Sequence, residues 1–160
     1  MSAWVAYFLR KAGQSIRQSP LVQLVALSTI AISMIVLGAF LVGRAAARHM
    51  VAQGSGAIVN ISSTAGTKGF GRGTAYAASK FALRGMTECW RDELRRHDVR
   101  VILCNPSEVQ TDFSRRAGGH QEPSPRKLVP EDIADAVIGV LRTDARGFVP
   151  EFSVFATNPF

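Results

Sequence analysis

Residues 56–80, GAIVNISSTAGTKGFGRGTAYAASK, constrain the fold of this chain more than any other stretch. The β-branched, apolar run from Ala57 to Ile61 predicts a buried strand, and a glycine-rich loop after it leads into a predicted helix that begins near Thr74. The run VRVILC, from Val99, predicts a second strand. A strand, a helix and a strand over this distance indicate a βαβ unit, which implies an α/β fold with a parallel sheet.

Three polar residues of this stretch, one just after the strand and two on the helix, could share one reaction. Ser63 follows the predicted strand, and Tyr76 and Lys80 are four residues apart, so they lie on one face of the predicted helix. A positive charge near a phenol favours the phenolate, and such a tyrosine can exchange a proton with a substrate oxygen near neutral pH. Ser63 could hydrogen-bond the same oxygen. The trio therefore suits alcohol/carbonyl interconversion, whereas a lone Tyr-x-x-x-Lys pair is more typical of a solvated helix face.

The sequence NISS, followed at this distance by YAASK, resembles the catalytic segment of the classical short-chain dehydrogenase/reductase family. The resemblance implies that Ser63 orients the substrate, that Tyr76 is the acid/base and that Lys80 also holds the nicotinamide ribose. It implies a small alcohol or carbonyl substrate and NAD or NADP as the cofactor. Within the family, the 3-oxoacyl-carrier-protein reductase branch is the most similar.

A second family segment follows the predicted strand at Val99. The family usually has Pro-Gly-x-Val-x-Thr there, and Pro106, Val109 and Thr111 match it, while Ser107 replaces the glycine. The resemblance implies that this segment binds the nicotinamide, together with Tyr76 and Lys80. Residues 113–129 are similar to the family's substrate-covering segment, although a plain exposed loop is an alternative. A helix is predicted from Pro130 and a short strand near the C-terminus.

The resemblance covers only the C-terminal half of the family. The family's Thr-Gly-x-x-x-Gly-x-Gly turn, which lets a helix N-terminus bind the pyrophosphate, has no counterpart in this sequence. We therefore expect an incomplete, truncated parallel sheet, with catalytic residues present and the cofactor platform missing. The edge of such a sheet would be uncovered, and uncovered edges favour association, so homo-oligomers are expected.

The N-terminal part predicts a membrane helix. Residues 1–20 are amphipathic and basic, and Leu21–Gly43 contains no charged residue. Twenty-three helical residues reach about 34 Å, enough for a bilayer core of about 30 Å. The prediction is a single-pass, membrane-associated protein, with a buried core helix and a cytoplasmic location as the alternatives. Basic residues flank both ends, so the orientation stays open; a cytoplasmic N-terminus would place Tyr76 away from the cell's nicotinamide pool.

The first forty residues also resemble the N-terminus of the bacterial cell-division ABC-transporter permease. The two resemblances overlap at residues 38–42, which suggests that a permease-like and a dehydrogenase-like sequence are joined there. The predicted division is 1–43, a basic segment plus hydrophobic helix, and 44–160, the dehydrogenase-like segment. The alternative function is accordingly a membrane-anchored, non-catalytic fusion or truncated protein.

Composition narrows the partners further. The net charge is +7, but no nucleic-acid motif accompanies it, so a solvated basic surface is expected and no nucleic-acid partner. Cys89 and Cys104 have no metal-ligand spacing. They are predicted to be free, buried thiols, and no metal site is expected.

Overall fold

The computed structural model describes residues 20–112 and 124–158; for 20–29 and 32 it describes the backbone alone. The predicted basic segment before residue 20 and most of the predicted covering segment, residues 113–123, lie outside these ranges. In chain order the elements are helix α1 (Pro20–Gln53), strand β1 (Gly56–Ile61), a 3₁₀ turn (Thr64–Gly66), helix α2 (Thr74–Leu94), a second 3₁₀ turn (Arg95–His97), strand β2 (Val99–Pro106), helix α3 (Pro130–Leu141) and strand β3 (Glu151–Val154).

The three strands form one parallel sheet in the order β1-β2-β3. Strand β1 pairs with β2 from Gly56↔Val99 onward, and β2 pairs with β3 from Leu103↔Glu151 onward. The central strand β2 is almost wholly buried. This arrangement confirms the predicted α/β class, the parallel pairing and the small C-terminal strand.

Helix α2 packs on the sheet through an apolar stripe. Trp90 and Leu94 are buried in a cluster with Ile58, Val99 and Val101. Burying such side chains contributes about 1.5–3 kcal/mol each, which is the main reason that this amphipathic helix lies flat on the sheet.

Helix α1 is a single helix of 34 residues, and it passes through the predicted boundary at residue 43 without a break. Its C-terminal half packs on α2. A Cβ atom at Gly43 would overlap the indole ring of Trp90, Phe40 stacks on the same ring at 6.2 Å between centroids, and Ala47 is buried. The absence of a side chain at Gly43 thus permits the close approach of the two helices.

The preceding turns of α1 expose their apolar side chains. Ile30 is 60% exposed, Met34 62% and Leu41 53%. At 100° per residue these three lie on the side of the helix opposite Gly43 and Ala47. Among the described residues one stretch, Ser33–Gln53, is long and apolar enough to cross a membrane. Core helices and signal sequences share that length and composition, so the membrane span stays a prediction.

The two thiols differ in environment. Cys104 is buried on β2, as predicted, but Cys89 is exposed, so that part of the prediction is wrong. The reason is helical geometry: Cys89 precedes the buried Trp90 by one residue, which turns its side chain about 100° away from the sheet. No group of metal-ligating side chains occurs within the described ranges.

Candidate active site

A cavity of about 1110 Å³ opens where the three strands end. Ser62 and Ser63 follow β1, Pro106 ends β2, and Ser153 near the end of β3 lies on the same cavity. Parallel strands present their carboxyl ends at one edge of the sheet, and open α/β sheets bind ligands at that edge. All six residues selected from the sequence (Ser63, Tyr76, Lys80, Pro106, Val109 and Thr111) line this cavity.

Ser63 is held by the short turn that follows β1. Its backbone is extended, and its Oγ accepts a hydrogen bond from the Ala65 amide at 3.1 Å, which caps the 3₁₀ turn. A hydroxyl is a donor as well as an acceptor, so this bond occupies the oxygen and leaves the hydrogen available to a ligand. The preceding Ser62 is buried and donates to the carbonyl of Lys80 at 3.4 Å, linking the strand end to α2.

Tyr76 and Lys80 lie on one face of α2, as predicted. Lys80 Nζ is 5.7 Å from the centroid of the Tyr76 ring and donates to the carbonyl of Ile61 at 3.1 Å. Burial lowers the pKa of Lys80 below the usual 10.5, because desolvation penalises the ammonium. Phe70 contacts the Tyr76 ring edge-on, with centroids 6.5 Å apart. The ammonium is therefore fixed between the end of β1 and the phenol ring.

The segment after β2 forms the opposite wall. The amide of Ser107, the residue that replaces the family's glycine, donates to the carbonyl of Val154 at 2.8 Å. Val109 forms a parallel bridge with Leu128. Gln110, which the sequence analysis did not select, donates through Nε2 to the carbonyl of Ser124 at 2.8 Å and accepts from the Ser124 amide at 2.8 Å. It thereby ties the two flanks of residues 113–123 together.

A charged network behind the cavity was also missed. Arg84 lies one turn beyond Lys80 on α2 and donates through Nε to the carbonyl of Gly66 at 3.2 Å. It forms an ion pair with Glu151, whose Oε1 also accepts from Asn105 Nδ2, 2.7 Å away. Arg84 therefore links the turn after Ser63 and helix α2 to the start of β3, and Glu151 extends this network to Asn105 near the end of β2. The i,i+4 spacing from Lys80 could have indicated Arg84, but no local pattern marks Glu151.

Within residues 20–112 and 124–158, the donor set suits one end of a dinucleotide. Pro106 and Val109 offer an apolar surface, Thr111 a hydroxyl and Lys80 an ammonium, and all four line the cavity. This combination fits a nicotinamide and its ribose. Helix α2 begins after Gly73 without a side-chain cap, but the preceding loop lacks the spacing of a pyrophosphate-binding turn.

Comparisons with known proteins agree with this geometry. The family model for short chain dehydrogenases matches residues 15–122. Human (3R)-3-hydroxyacyl-CoA dehydrogenase is 34% identical over 136 residues, which are 76% of this chain and 49% of the relative. Carbonyl reductase family member 4 of Danio rerio is 35% identical over 113 residues, covering 67% of this chain and 46% of the relative.

Solved structures show the same similarity. Acetoin dehydrogenase from Enterobacter cloacae has a TM-score of 0.61 at 34% identity, covering 76% of this chain and 52% of that protein. The closed form of a serine dehydrogenase complexed with NADP+ has a TM-score of 0.63 at 30% identity, covering 70% of this chain and 48% of that protein. The chain thus spans about half the length of the relatives it matches.

Proposed function

Because the chain belongs to the short chain dehydrogenase family, we propose that it interconverts an alcohol and a carbonyl as an NAD(P)-dependent oxidoreductase segment. The observation that supports this most is the meeting of Ser63, Tyr76 and Lys80 on one cavity at the carboxyl edge of a parallel sheet. These residues come from two different elements, so sequence spacing alone did not bring them together.

In the proposed reaction each side chain has a distinct task. The hydroxyl of Ser63 donates a hydrogen bond to the reacting oxygen of the substrate. The hydroxyl of Tyr76 gives that oxygen a proton in reduction, and its deprotonated oxygen takes the proton back in oxidation. The ammonium of Lys80, held 5.7 Å from the centroid of the Tyr76 ring, adds a positive charge beside the site of proton transfer. Pro106, Val109 and Thr111 would hold the nicotinamide, which would supply or accept the hydride.

The substrate is proposed to be a small hydroxy or oxo compound. The named relatives include a 3-hydroxyacyl-CoA dehydrogenase, an acetoin dehydrogenase and a serine dehydrogenase, all with names that indicate hydroxyl-bearing substrates. Within the family, we propose that the chain is most similar to the 3-oxoacyl-carrier-protein reductases. Strand β1 has a free edge within the described sheet, so self-association through that edge is also proposed.

This chain alone is expected to bind the whole cofactor weakly. Positioning of two reactants can supply about 7–11 kcal/mol of a barrier, but here only the nicotinamide end meets a fitting wall. We therefore expect no tight NADH or NADPH binding and no turnover above background with either. Saturable binding at micromolar cofactor would show that residues 1–160 hold the dinucleotide after all.

The chemistry itself can be tested with a smaller hydride carrier. Reduced nicotinamide mononucleotide lacks the adenosine that this chain does not accommodate, so at millimolar concentration it should support slow reduction of a small ketone. Tyr76→Phe should abolish that reduction, whereas Tyr7→Phe, at the only other tyrosine, should not. Absence of any hydride transfer with the mononucleotide and with both dinucleotides would contradict the proposed function.

The exposed apolar turns of α1 favour a membrane location. We propose that residues 21–43 form the membrane span, with the turn from Phe40 to Gly43 packed on α2, and that residues 44–160 form the dehydrogenase-like part. The match to the family model begins at residue 15 and therefore includes this span. The chain should then sediment with membranes and resist alkaline carbonate. Ile30→Arg should make membrane insertion less favourable by about 2.5–3.5 kcal/mol. Ile138→Arg, on the exposed side of α3, should leave the membrane association unchanged. Release of the unaltered chain by carbonate would exclude an integral span.

A further inference from the structure

The charges that line the cavity are unbalanced. Lys68, Arg72 and Lys80 lie on it together with one acidic residue, Glu108. Glu108 is already neutralised, because Lys127 Nζ is 3.1 Å from its Oε1. Within the described ranges neither Lys68 nor Arg72 has a carboxylate partner, and Lys80 donates to a backbone carbonyl. A net positive charge therefore faces whatever enters the cavity.

Two of these cations flank the residues that would hold the reacting oxygen. The amide of Lys68 donates to the carbonyl of Thr64 at 3.2 Å, so it directly follows the turn that Ser63 caps. Arg72 lies on the other side of the same loop, two residues before α2 begins. This loop joins the turn that holds Ser63 to the helix that carries Tyr76, and both cations, although exposed, line the same cavity.

The backbone of the loop supports a role for the Arg72 side chain. Arg72 has a φ of 63°, in the left-handed region that disfavours residues with a Cβ. Its neighbours are Gly71 and Gly73, and a Cβ at Gly73 would overlap the ring of Phe70. Backbone outliers of this kind cluster at ligand-binding segments, which motivates a functional role for Arg72. Asp98, the other described non-glycine residue with a positive φ, ends a 3₁₀ turn.

We propose that the cavity takes a hydroxy or oxo substrate with a second, anionic group, and that Lys68 and Arg72 bind that group. This inference rests on the proposed function and names its substrate class. A guanidinium can hold a carboxylate or a phosphate through two parallel hydrogen bonds, and an ammonium adds a compact charge. The anion is on the substrate, either a carboxylate or a phosphate ester, and not on the cofactor.

Binding can be measured without catalysis, because the chain contains only two tyrosines. In the full chain labelled with ¹³C-tyrosine and kept in a non-ionic detergent, the ring resonances of Tyr76 report on the cavity. Tyr7 serves as the internal control. The probes are 3-hydroxybutyrate against neutral 1,3-butanediol, and glycerol 3-phosphate against glycerol. At least one anion should shift the Tyr76 resonance at about one-tenth the concentration of its neutral partner, the size expected for one charge-assisted contact.

Two double variants test whether Lys68 and Arg72 cause the tighter binding of the anionic probes. The double change Lys68→Gln and Arg72→Gln should remove the tenfold advantage and leave the neutral compounds unaffected. Arg95→Gln with Arg96→Gln removes the same two charges from exposed positions at the far end of α2, and it should retain the advantage. High salt should weaken anion binding alone. The probe pair that shows the tenfold advantage, the carboxylate pair or the phosphate pair, identifies the anion.

Several results would overturn the inference: equal affinity for charged and neutral probes, equal losses in the two double variants, or no Tyr76 shift with any probe. Weaker binding of NADP+ with unchanged binding of both anionic probes would assign the two cations to the cofactor instead. Loss of anion binding in the cavity variant, together with no hydride transfer in any assay, would refute the proposed oxidoreductase function and leave the anion site standing.

Discussion

Glu151 is the residue whose replacement tests the structure most directly. Its Oε1 accepts from Asn105 Nδ2 at 2.7 Å and forms the ion pair with Arg84. Asn105 is 0% exposed, and its Oδ1 has no hydrogen-bond partner among the described atoms. Glu151→Ala would therefore leave the Nδ2 group of a fully buried amide without its acceptor, and would leave Arg84 without its partner on β3.

The structure gives the size of the effect. An unsatisfied buried polar group costs about 1–3 kcal/mol. The Arg84–Glu151 pair is partly exposed, with side chains 25% and 30% accessible, so its contribution is only about 0.5–1 kcal/mol. Glu151→Ala should thus lower the free energy of unfolding by about 1.5–4 kcal/mol. Glu151→Gln keeps an acceptor for Asn105 and should cost about 1 kcal/mol.

Glu88→Ala is the matched control, because Glu88 pairs with the same Arg84 at 3.2 Å but is 54% exposed. It should cost less than about 0.5 kcal/mol. Urea unfolding followed by the fluorescence of Trp90, which is buried between α1 and the sheet, measures all three variants. If Glu88→Ala costs as much as Glu151→Ala, or if Glu151→Ala costs less than about 0.5 kcal/mol, the buried network does not stabilise the fold as reasoned.

Three further predictions follow from burial. Burial raises the pKa of the Cys104 thiol to about 11, so at pH 8 a thiol reagent should modify Cys89 alone in the folded chain and both thiols after unfolding; modification of both at equal rates would contradict the burial of β2. The pKa of Lys80 in the folded chain should lie below 10.5 by ¹³C NMR, and a value at or above 10.5 would refute this. Because the unfolded chain then binds this proton more tightly, the contribution of Lys80 to stability rises with pH between the folded and unfolded pKa values. Gly43→Val should destabilise the α1–α2 contact by about 1–3 kcal/mol through overlap with Trp90, measured by thermal unfolding, whereas an unchanged midpoint would show that the helices do not approach so closely.

Much of the local structure was predictable because it depends on near neighbours in the chain. The β-branched, apolar run from Ala57 to Ile61 predicted a buried strand, and β1 covers it. The predicted burial holds for Ile58 alone, because the strand is otherwise half-buried and Ile61 is exposed. Tyr76 and Lys80 share a face because a helix repeats every 3.6 residues. The parallel pairing followed from the helix between two strands, since only a crossover connection of that length joins parallel neighbours.

Other features were decided by the tertiary structure. Arg84 and Glu151 are 67 residues apart, and Gln110 meets Ser124 across 14 residues. Periodicity gives no information about such pairs, because a hydrogen bond depends on how the elements dock to within a few tenths of an ångström. The exposure of Cys89 likewise depended on which side of α2 faces the sheet. The sequence by itself determined the elements and the residues at their ends; the docking of α1, α2 and three strands decided which of those residues share one cavity, because only docking sets distances between residues far apart in the chain.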